Sequence, residues 1–264
     1  MKYAIMSDAH ANPAALEKAI KDAKKEKCER FIFLGDVTGY GYDVKGAWEL
    51  VNDNFDIILL GNHDSVCIGK EKDPLADYIP NYDVDRMQRA ELPDDAHDIL
   101  WEAPYLHKEK GAAFAHGNFS RPDNWGYVFT LDEARQSFFS RPEKLMFCGH
   151  THVARSWEMG KDEMARENVV FKVPATKPEK KSFKLKEGKR YIVNVGSVGY
   201  PRNDLCSTYV IWDSEKERVT FRRLPFDFMP YIKALLDKNI DLPMWLSDLL
   251  LAATKGNHHT FEGV

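Results

Sequence analysis

Five short apolar runs each end at a polar or glycine-containing turn, and this pattern constrains the fold more than any other feature. The runs cover residues 3–6, 31–34, 57–60, 112–115 and 145–148. Runs of this length bounded by turns are typical of buried strands that deliver functional residues at their carboxyl ends. The turns contain Ser7-Asp8, Gly35-Asp36, Gly61-Asn62-His63-Asp64, His116 and Gly149-His150-Thr151-His152. The sequence therefore predicts five strands that each end in candidate functional residues.

Helical patterns separate these strands. Asn12 predicts a helix cap with Pro13 at the first helical position, and apolar residues follow at helical spacing. The apolar spacing in residues 44–51 predicts a second helix, and Thr130 with Glu133 predicts a capping box that begins another. Helices thus alternate with strands through residue 150, which indicates an α/β fold.

The character of the chain changes after residue 153. Strand-like runs at residues 169–173, 183–185, 191–195, 208–212 and 219–221 predict a second, more antiparallel sheet. Two helical patterns, at about 229–238 and about 243–255, follow them and predict helices packed on the body, although an apolar stripe can also bind a partner. The stretch from about 65 to 110 predicts helices and loops beside the site. We expect one domain over residues 1–264, with a C-terminal helical tail at about 226–256.

Bulk composition fits one globular domain without a strongly charged partner. The 264 residues are 44% hydrophobic, and the net charge of -4 argues against nucleic acid or acidic membranes as partners. Residues 172–190 carry eight Lys or Arg, but the alternation at Phe183 and Leu185 favours a hairpin with a solvated lysine face. The four separated cysteines suit reduced thiols, and the sequence contains neither a signal-peptide pattern nor a membrane-length apolar run. We therefore expect a soluble, cytoplasmic protein.

The polar residues at the five turns combine side chains that bind transition metals. They are Asp8, His10, Asp36, Asn62, His116, His150 and His152. Carboxylate, amide and imidazole ligands together favour manganese, iron, zinc or nickel over calcium and magnesium, which prefer oxygen shells. Each motif alone also fits a cap or a hydrogen-bonded turn, but five of the nine histidines lie in these motifs. So many ligands exceed a structural zinc site and suit two divalent ions that share a bridging carboxylate.

The ordered set of motifs resembles the calcineurin-like metallophosphoesterases, in particular their small bacterial and archaeal phosphodiesterase branch. The resemblance rests on Asp8-x-His10, Gly35-Asp36, Gly61-Asn62-His63-Asp64, His116 and Gly149-His150-Thr151-His152. Gly39-Tyr40-Gly41, Asn194-x-Gly196-Ser197-x-Gly199 and the helical tail extend it over nearly the whole chain. It implies a four-layer αββα sandwich, in which two mixed β-sheets are flanked by helices and the metals lie at the strand ends.

The resemblance also implies roles for individual residues. Asp8, His10, Asp36 and His152 would hold the first ion, while Asp36, Asn62, His116 and His150 would hold the second. Asp36 is then the bridge. His63 would protonate the leaving group, and Asp64 would orient His63 and support its charged form.

The implied activity is metal-dependent hydrolysis of phosphodiester or phosphomonoester bonds. Two cations about 4 Å apart lower the pKa of a bridging water, so that hydroxide exists at neutral pH, and clamp the phosphoryl oxygens in line. The expected partner is a small-molecule phosphoester substrate.

Two residues depart from the family pattern, and three are candidates for substrate binding. Ala11 stands where relatives usually have Gly, so the turn must accept a Cβ. Asn118 stands where relatives tend to have Ser. Asn12, Asn118 and Arg202 are the candidate substrate contacts, although the sequence favours capping as the role of Asn12 and a surface salt bridge as the role of Arg202. The glycine-rich 194–199 segment lacks the spacing of a P-loop and favours a tight turn beside the pocket.

Three other functions remain open. A protein Ser/Thr phosphatase usually carries Asp-Arg-Gly after the Gly-Asp motif and Gly-Asn-His-Glu later, whereas this chain has Thr38-Gly39-Tyr40 and Asp64 there. A dinucleoside polyphosphate hydrolase fits the same motifs. A non-catalytic scaffold would be expected to have lost ligands, and all the ligand positions are intact.

Overall fold

The computed structural model describes residues 1–71, 84–171, 175, 177–202 and 206–238. The helices in these ranges are α1 (Pro13–Lys25), α2 (Val44–Asn54), α3 (Asn62–Cys67), α4 (Val84–Glu91), α5 (Asp94–Glu102), α6 (Leu131–Ser140) and α7 (Met229–Asp237). The strands are β1 (Lys2–Met6), β2 (Arg30–Phe33), β3 (Ile57–Ile58), β4 (Leu106–Glu109), β5 (Ala112–Ala115), β6 (Leu145–Cys148), β7 (Arg155–Met159), β8 (Ala165–Val170), β9 (Glu179–Lys184), β10 (Arg190–Asn194), β11 (Cys206–Asp213) and β12 (Arg218–Pro225).

The strands form two six-stranded mixed sheets, with the orders β3-β2-β1-β11-β12-β9 and β4-β5-β6-β10-β7-β8. In the first sheet β1, β2 and β3 are parallel, and in the second β5, β6 and β10 are parallel. The other strands of both sheets pair antiparallel. Parallel strands of one sheet deliver the segments after their carboxyl ends to the same edge.

The two sheets pack face to face, and helices cover their outer faces. The core between the sheets contains Phe114 and Phe147, whose rings stack with centroids 5.3 Å apart, and Trp212 from the opposite sheet. A second core joins α1 and α2 to the first sheet, and a third joins α6 to the second sheet. The helix–sheet–sheet–helix order confirms the predicted four-layer αββα sandwich of two mixed sheets.

The predicted helix starts are confirmed. The Asn12 side chain accepts a hydrogen bond from the Ala15 backbone N–H at 3.2 Å, and Pro13 is the first residue of α1. Thr130 and Glu133 form the capping box of α6, in which each side chain bonds to the backbone of the other residue. These starts were predictable because a cap is a contact between near neighbours in the chain.

The prediction that the later strands form one second sheet is wrong. Strands β7, β8 and β10 join the second sheet, whereas β9, β11 and β12 join the first. Strand β11 pairs antiparallel with β1, and the register places Tyr3 opposite Trp212. Apolar alternation shows which face of a strand is buried, but it does not show which strand lies beside it.

The predicted hairpin at Phe183 and Leu185 is also wrong. Strand β9 lies at the edge of the first sheet and pairs with β12, so it has no hairpin partner next to it in the chain. The predicted solvated face is present, because Lys180, Lys181 and Lys184 are exposed. Lysines on an edge strand also oppose pairing with a further strand.

Helices α3, α4 and α5 occupy most of the described part of the 65–110 stretch, as predicted, but the stretch also contains strand β4, which was not predicted. Buried Gln88 on α4 accepts a hydrogen bond from the Gly39 N–H at 2.7 Å and donates one to the Gly41 carbonyl at 2.8 Å. This helix is thereby attached to the loop after β2. Residues 72–83 lie outside the described ranges.

Helix α7 packs on the body through Tyr231, Ile232 and Leu235, beside Tyr200. The Tyr231 hydroxyl donates a hydrogen bond to the His10 carbonyl at 3.2 Å, which joins the helix to the loop after β1. The second predicted helix of the tail, at about 243–255, lies outside the described residues. Within the described ranges no helix is long and apolar enough to cross a membrane.

Candidate metal centre

The segments that follow the parallel strands bring the predicted ligands of both sheets together. Asp8 and His10 follow β1, Asp36 follows β2, and Asn62 begins the helix after β3. From the second sheet, His116 follows β5, while His150 and His152 follow β6. All of these residues except Asn62 are buried.

The first group contains Asp8, His10, Asp36 and His152, each with a ligand atom within 4.8 Å of the others. The Nε2 atoms of His10 and His152 are 3.0 Å apart. Asp8 Oδ1 lies 3.3 Å from His152 Nε2, and Asp36 Oδ2 lies 3.7 Å from His10 Nε2. This group matches the predicted ligands of the first ion.

The second group contains Asp36, His116 and His150. His116 Nε2 lies 3.2 Å from Asp36 Oδ2 and 3.2 Å from His150 Nδ1. The Asn62 side-chain oxygen lies 3.1 Å from the same His116 nitrogen, so Asn62 completes the predicted second set. Asp36 belongs to both groups, as a bridging ligand must.

Three histidines are oriented by backbone carbonyls. The Nδ1 atoms of His10, His116 and His152 lie 2.7, 3.1 and 2.6 Å from the carbonyl oxygens of Thr38, Leu34 and Tyr200. Because a carbonyl can only accept, each Nδ1 donates its hydrogen, and in the neutral ring the Nε2 lone pair faces the cluster. This arrangement is typical of histidines that bind metals.

Two buried carboxylate oxygens receive no backbone N–H or hydroxyl donor. Asp8 Oδ1 and Asp36 Oδ2 are inaccessible to solvent and lie 3.3 Å from His152 Nε2 and 3.2 Å from His116 Nε2, whereas the other oxygen of each carboxylate accepts a backbone N–H. A buried charge without a partner is costly, and coordination of a cation removes this cost. Both oxygens face the histidine nitrogens, so the residues present fit divalent metal ions.

The protonation states of the two carboxylates also fit ligands. Burial opposes ionisation of Asp8, but His152 offsets it and the pKa of Asp8 falls below its usual value. Burial opposes ionisation of Asp36 as well, and His116 and the other nearby histidines hold its pKa well below the usual range. Both carboxylates are therefore negative at neutral pH, as ligands must be.

Three of the four histidines in the two groups are neutral at neutral pH. Burial lowers the pKa values of His10, His150 and His152, in the case of His150 to about 3 with a further contribution from the charge of His116. Burial also acts against the charge on His116, but Asp36 raises the pKa of His116 to about 9. A cation in the second group therefore has to displace one proton, from His116.

The backbone at the candidate ligands is strained. Asp8, His10, Asp36, His150 and His152 have φ values of 58, 45, 60, 64 and 61°. Residues with side chains rarely adopt this left-handed region, and such strain is concentrated at functional sites. Ala11, where relatives usually have Gly, has φ 47° and is fully buried. The expected turn therefore forms with a Cβ in the left-handed region.

Glycines allow the two loops to approach the carboxylates. A Cβ on Gly61 would lie 2.1 Å from Asp36 Oδ1, and a Cβ on Gly149 would lie 2.5 Å from Asp8 Oδ2. Either side chain would displace a candidate ligand. Only glycine fits there because the loops after β3 and β6 pass directly over the aspartates.

The Asp64 carboxylate binds the loop after β2. Its carboxylate accepts hydrogen bonds from the N–H groups of residues 36–38, from the Thr38 hydroxyl and from the Gly61 N–H, at 2.7 to 3.2 Å. Its described hydrogen bonds include none to the His63 ring. Burial and the charge of Asp36 raise the pKa of Asp64 to about 6. Asp64 therefore holds the loop that carries Asp36, and its role in orienting His63 stays a prediction.

His63 lies at the partly exposed rim of the first group. Its backbone N–H donates to Asp36 Oδ1 at 2.9 Å, and its ring centroid is 5.1 Å from that of His10 and 4.5 Å from that of Tyr40. A Cβ on Gly39 would lie 2.4 Å from His63 Nδ1. The Gly39-Tyr40 turn therefore packs directly against the His63 ring.

The three predicted substrate contacts differ in their surroundings. Asn12 is 1% exposed and uses its amide for the α1 cap and for a bond to the Gly199 carbonyl, so it is structural. Asn118 bonds within its own loop, to Ser120, Arg121 and Asn124. Burial lowers the pKa of His152, the charge of Asp8 raises it, and the nearby charge of Arg202 lowers it by a smaller amount. Arg202 Nη2 lies 3.5 Å from the Tyr40 hydroxyl.

Two aromatic residues beside the cluster, Tyr127 and Tyr200, were not singled out from sequence. Tyr40 and Tyr200 stack with centroids 4.7 Å apart beside His10, and Tyr127 stacks on His150 with centroids 4.3 Å apart. No local pattern marks Tyr127 or Tyr200, because their proximity to histidines arises from contacts between distant segments.

A four-layer α/β sandwich with a buried Asp and His cluster at its strand ends is the architecture of metallophosphoesterases. The calcineurin-like phosphoesterase superfamily domain matches residues 1–217, and the chain belongs to this superfamily. It is therefore a metal-binding phosphoesterase domain of the hydrolase class.

Solved structures and a curated protein are similar to this chain over nearly its whole length. The crystal structure of a metallophosphoesterase from Sphaerobacter thermophilus is similar with a TM-score of 0.77 and 28% identity, covering 96% of this chain and 98% of that one. A hypothetical protein from Pyrococcus horikoshii shares the fold at a TM-score of 0.69 and 14% identity, covering 94% and 97%. An uncharacterized protein of Methanocaldococcus jannaschii is 26% identical over 254 residues, which are 94% of this chain and 96% of the relative.

The strained turn at Ala11 predicts an unusual response to glycine. Ala11 and Ala15 are both fully buried, but Ala11 has a left-handed φ whereas Ala15 lies in α1. Glycine in a helix costs about 1 kcal/mol relative to Ala, while relief of the left-handed strain offsets roughly that amount. Urea unfolding should show a smaller loss of stability for Ala11→Gly than for Ala15→Gly. An equal or larger loss for Ala11→Gly would contradict the strain argument.

Proposed function

We propose that the chain is a binuclear phosphoesterase that hydrolyses phosphodiester or phosphomonoester bonds of small molecules. The observation that carries the proposal is the position of Asp36. Asp36 belongs to both groups of candidate ligands, and its buried Oδ2 lies 3.7 Å from His10 Nε2 and 3.2 Å from His116 Nε2. A structural site for one ion needs no second group of ligands, whereas a carboxylate shared by two groups suits a pair of cations.

The donor set favours manganese, iron, nickel or zinc. Asp8, His10, Asp36 and His152 would hold one cation, and Asp36, Asn62, His116 and His150 would hold the other. Imidazole and carboxylate ligands together select transition metals over calcium and magnesium. Two such cations would polarise the phosphoryl oxygens and lower the pKa of a water molecule so that it attacks at neutral pH.

His63 is the candidate general acid. Its ring lies on the rim of the site, against the rings of His10 and Tyr40, where it is accessible to a substrate. The backbone bond from His63 to Asp36 Oδ1 fixes its position relative to the shared ligand. From this position the ring can protonate the leaving oxygen as the bond to phosphorus breaks.

Arg202 is the candidate contact for a phosphoryl oxygen. Its positive charge lies near His152, and its guanidinium nitrogen Nε is buried without a hydrogen-bond partner. A buried donor without an acceptor is costly. A phosphate oxygen would supply that acceptor and would gain charge stabilisation from the guanidinium.

The activity itself is tested by metal reconstitution. We expect the purified protein, loaded in turn with manganese, iron, nickel or zinc, to hydrolyse bis-p-nitrophenyl phosphate or p-nitrophenyl phosphate, with release of p-nitrophenolate as the measurement. Diadenosine tetraphosphate serves as the comparison substrate. Turnover of diadenosine tetraphosphate alone would favour a dinucleoside polyphosphate hydrolase. Bound metal without turnover of any of the three would favour a scaffold.

Removal of the shared carboxylate should empty both cation sites. We expect Asp36→Ala to bind far less manganese or zinc than the wild-type chain, because each group loses the ligand that both share and the second group loses its carboxylate. Metal content after gel filtration is the measurement. Asp98→Ala is the control, because the Asp98 side chain is 92% exposed outside the site. Full metal content in Asp36→Ala would rule out the bridging role.

Removal of His63 should slow turnover without releasing metal. We expect His63→Ala to lower kcat by about 10²- to 10⁴-fold, the range of general acid catalysis. The loss should be larger for a phenyl ester than for a p-nitrophenyl ester, because phenolate is the poorer leaving group. His97→Ala, on α5 and outside the cluster, is the control. Equal losses for the two esters would remove His63 from the protonation step.

A further inference from the structure

One loop places aromatic rings on the histidines of the second group. This aromatic loop comprises residues 118–127, between β5 and α6. The Tyr127 ring stacks on the His150 ring with centroids 4.3 Å apart and planes 9° apart. Trp125 meets the His116 ring edge to face with centroids 6.1 Å apart. The two rings therefore contact the two histidines of the second group. No sequence motif predicted this arrangement.

The aromatic loop is held in place by its own hydrogen bonds. The Asn118 N–H donates to the Gly126 carbonyl at 2.7 Å, which closes the loop, and the Asn118 side chain bonds within it. The Trp125 indole N–H donates to Glu71 at 2.6 Å. Val128, next to Tyr127, is 1% exposed and anchors the end of the loop in the core. Tyr127 is therefore presented by a fixed backbone.

Tyr127 is only half covered. One face of its ring lies against His150, yet the residue is 47% exposed while His150 is 7% exposed. A flat aromatic surface open to solvent beside a set of convergent polar groups is typical of a ligand site. Such a surface favours stacking with another flat ring.

The surroundings of the two groups differ in a way that orients a substrate. His63, Tyr40 and Arg202 lie beside the histidines of the first group, whereas the aromatic loop lies on those of the second. If His63 protonates the leaving oxygen, the leaving group lies beside the first group of candidate ligands. The other ester substituent of a phosphodiester, which stays on phosphorus, then points toward Tyr127.

We propose that Tyr127 is a specificity-determining residue that stacks on a flat aromatic or heteroaromatic group carried by the retained alcohol of a phosphodiester. This inference rests on the proposed phosphoesterase function and narrows its substrate class. It favours diesters over monoesters, because a monoester has no retained substituent to stack. It also gives the aromatic loop a role in recognition.

The test compares two substrates that share a leaving group. Bis-p-nitrophenyl phosphate and methyl p-nitrophenyl phosphate both release p-nitrophenolate, but they retain an aryl and a methyl group respectively. The quantity measured is the ratio of their kcat/KM values. We expect Tyr127→Leu to lower this aryl-to-methyl ratio by about 10-fold relative to wild type, within the range of aromatic stacking. Tyr127→Phe, which keeps the ring, should keep the ratio within about 2-fold.

Controls separate recognition from packing. Phe139→Leu changes another aromatic residue, which is 54% exposed on α6, and should leave the ratio as in wild type. If Tyr127 only supports His150, Tyr127→Leu will lower both kcat/KM values together and keep the ratio, which overturns the inference. An unchanged ratio without any loss also overturns it. If the wild-type, metal-loaded protein hydrolyses none of the three substrates, the two diesters and p-nitrophenyl phosphate, the proposed function is overturned, and this inference with it.

Discussion

The hydrogen bonds from the backbone of residues 36–38 to the buried Asp64 carboxylate are the interaction on which the rest of the site depends. They hold the loop after β2 in the position from which Asp36 serves both groups of candidate ligands. From this loop Asp36 reaches the histidines of both sheets, and the Thr38 carbonyl orients His10. One buried carboxylate thereby positions another. Neither could remain in the interior without the donors or cations that face it.

The centre is built from conformations that a polypeptide normally avoids. Candidate ligands with left-handed backbone sit at the ends of rigid parallel strands, and glycines let neighbouring loops pass over the aspartates. Such a site is kept in place by the sandwich around it, since its own local preferences oppose it. The loop at residues 194–199 adds to this support, because the Asn194 amide donates to the Gly149 carbonyl and the Ser197 hydroxyl donates to the Asp8 carbonyl.

The two groups of ligands are chemically alike, but their surroundings are not. Beside the first group lie a partly exposed histidine, a stacked pair of tyrosines and an arginine. Beside the second lies the aromatic loop, with Tyr127 half exposed. Selection among phosphoesters depends on such differences in the pocket wall.

The sequence by itself determined the strands that end in candidate ligands, the caps at Asn12 and Thr130, and the identity of the Asp and His residues that form the buried cluster. These features depend on contacts between near neighbours or on the recurrence of a few side-chain types after apolar runs. Only the tertiary structure decided that β11 lies beside β1, that Asp64 bonds to residues 36–38, and that Tyr127 covers His150. Each of these contacts joins segments far apart in the chain, or turns a side chain toward one of several available partners. Local patterns state which face is buried but not what lies against it.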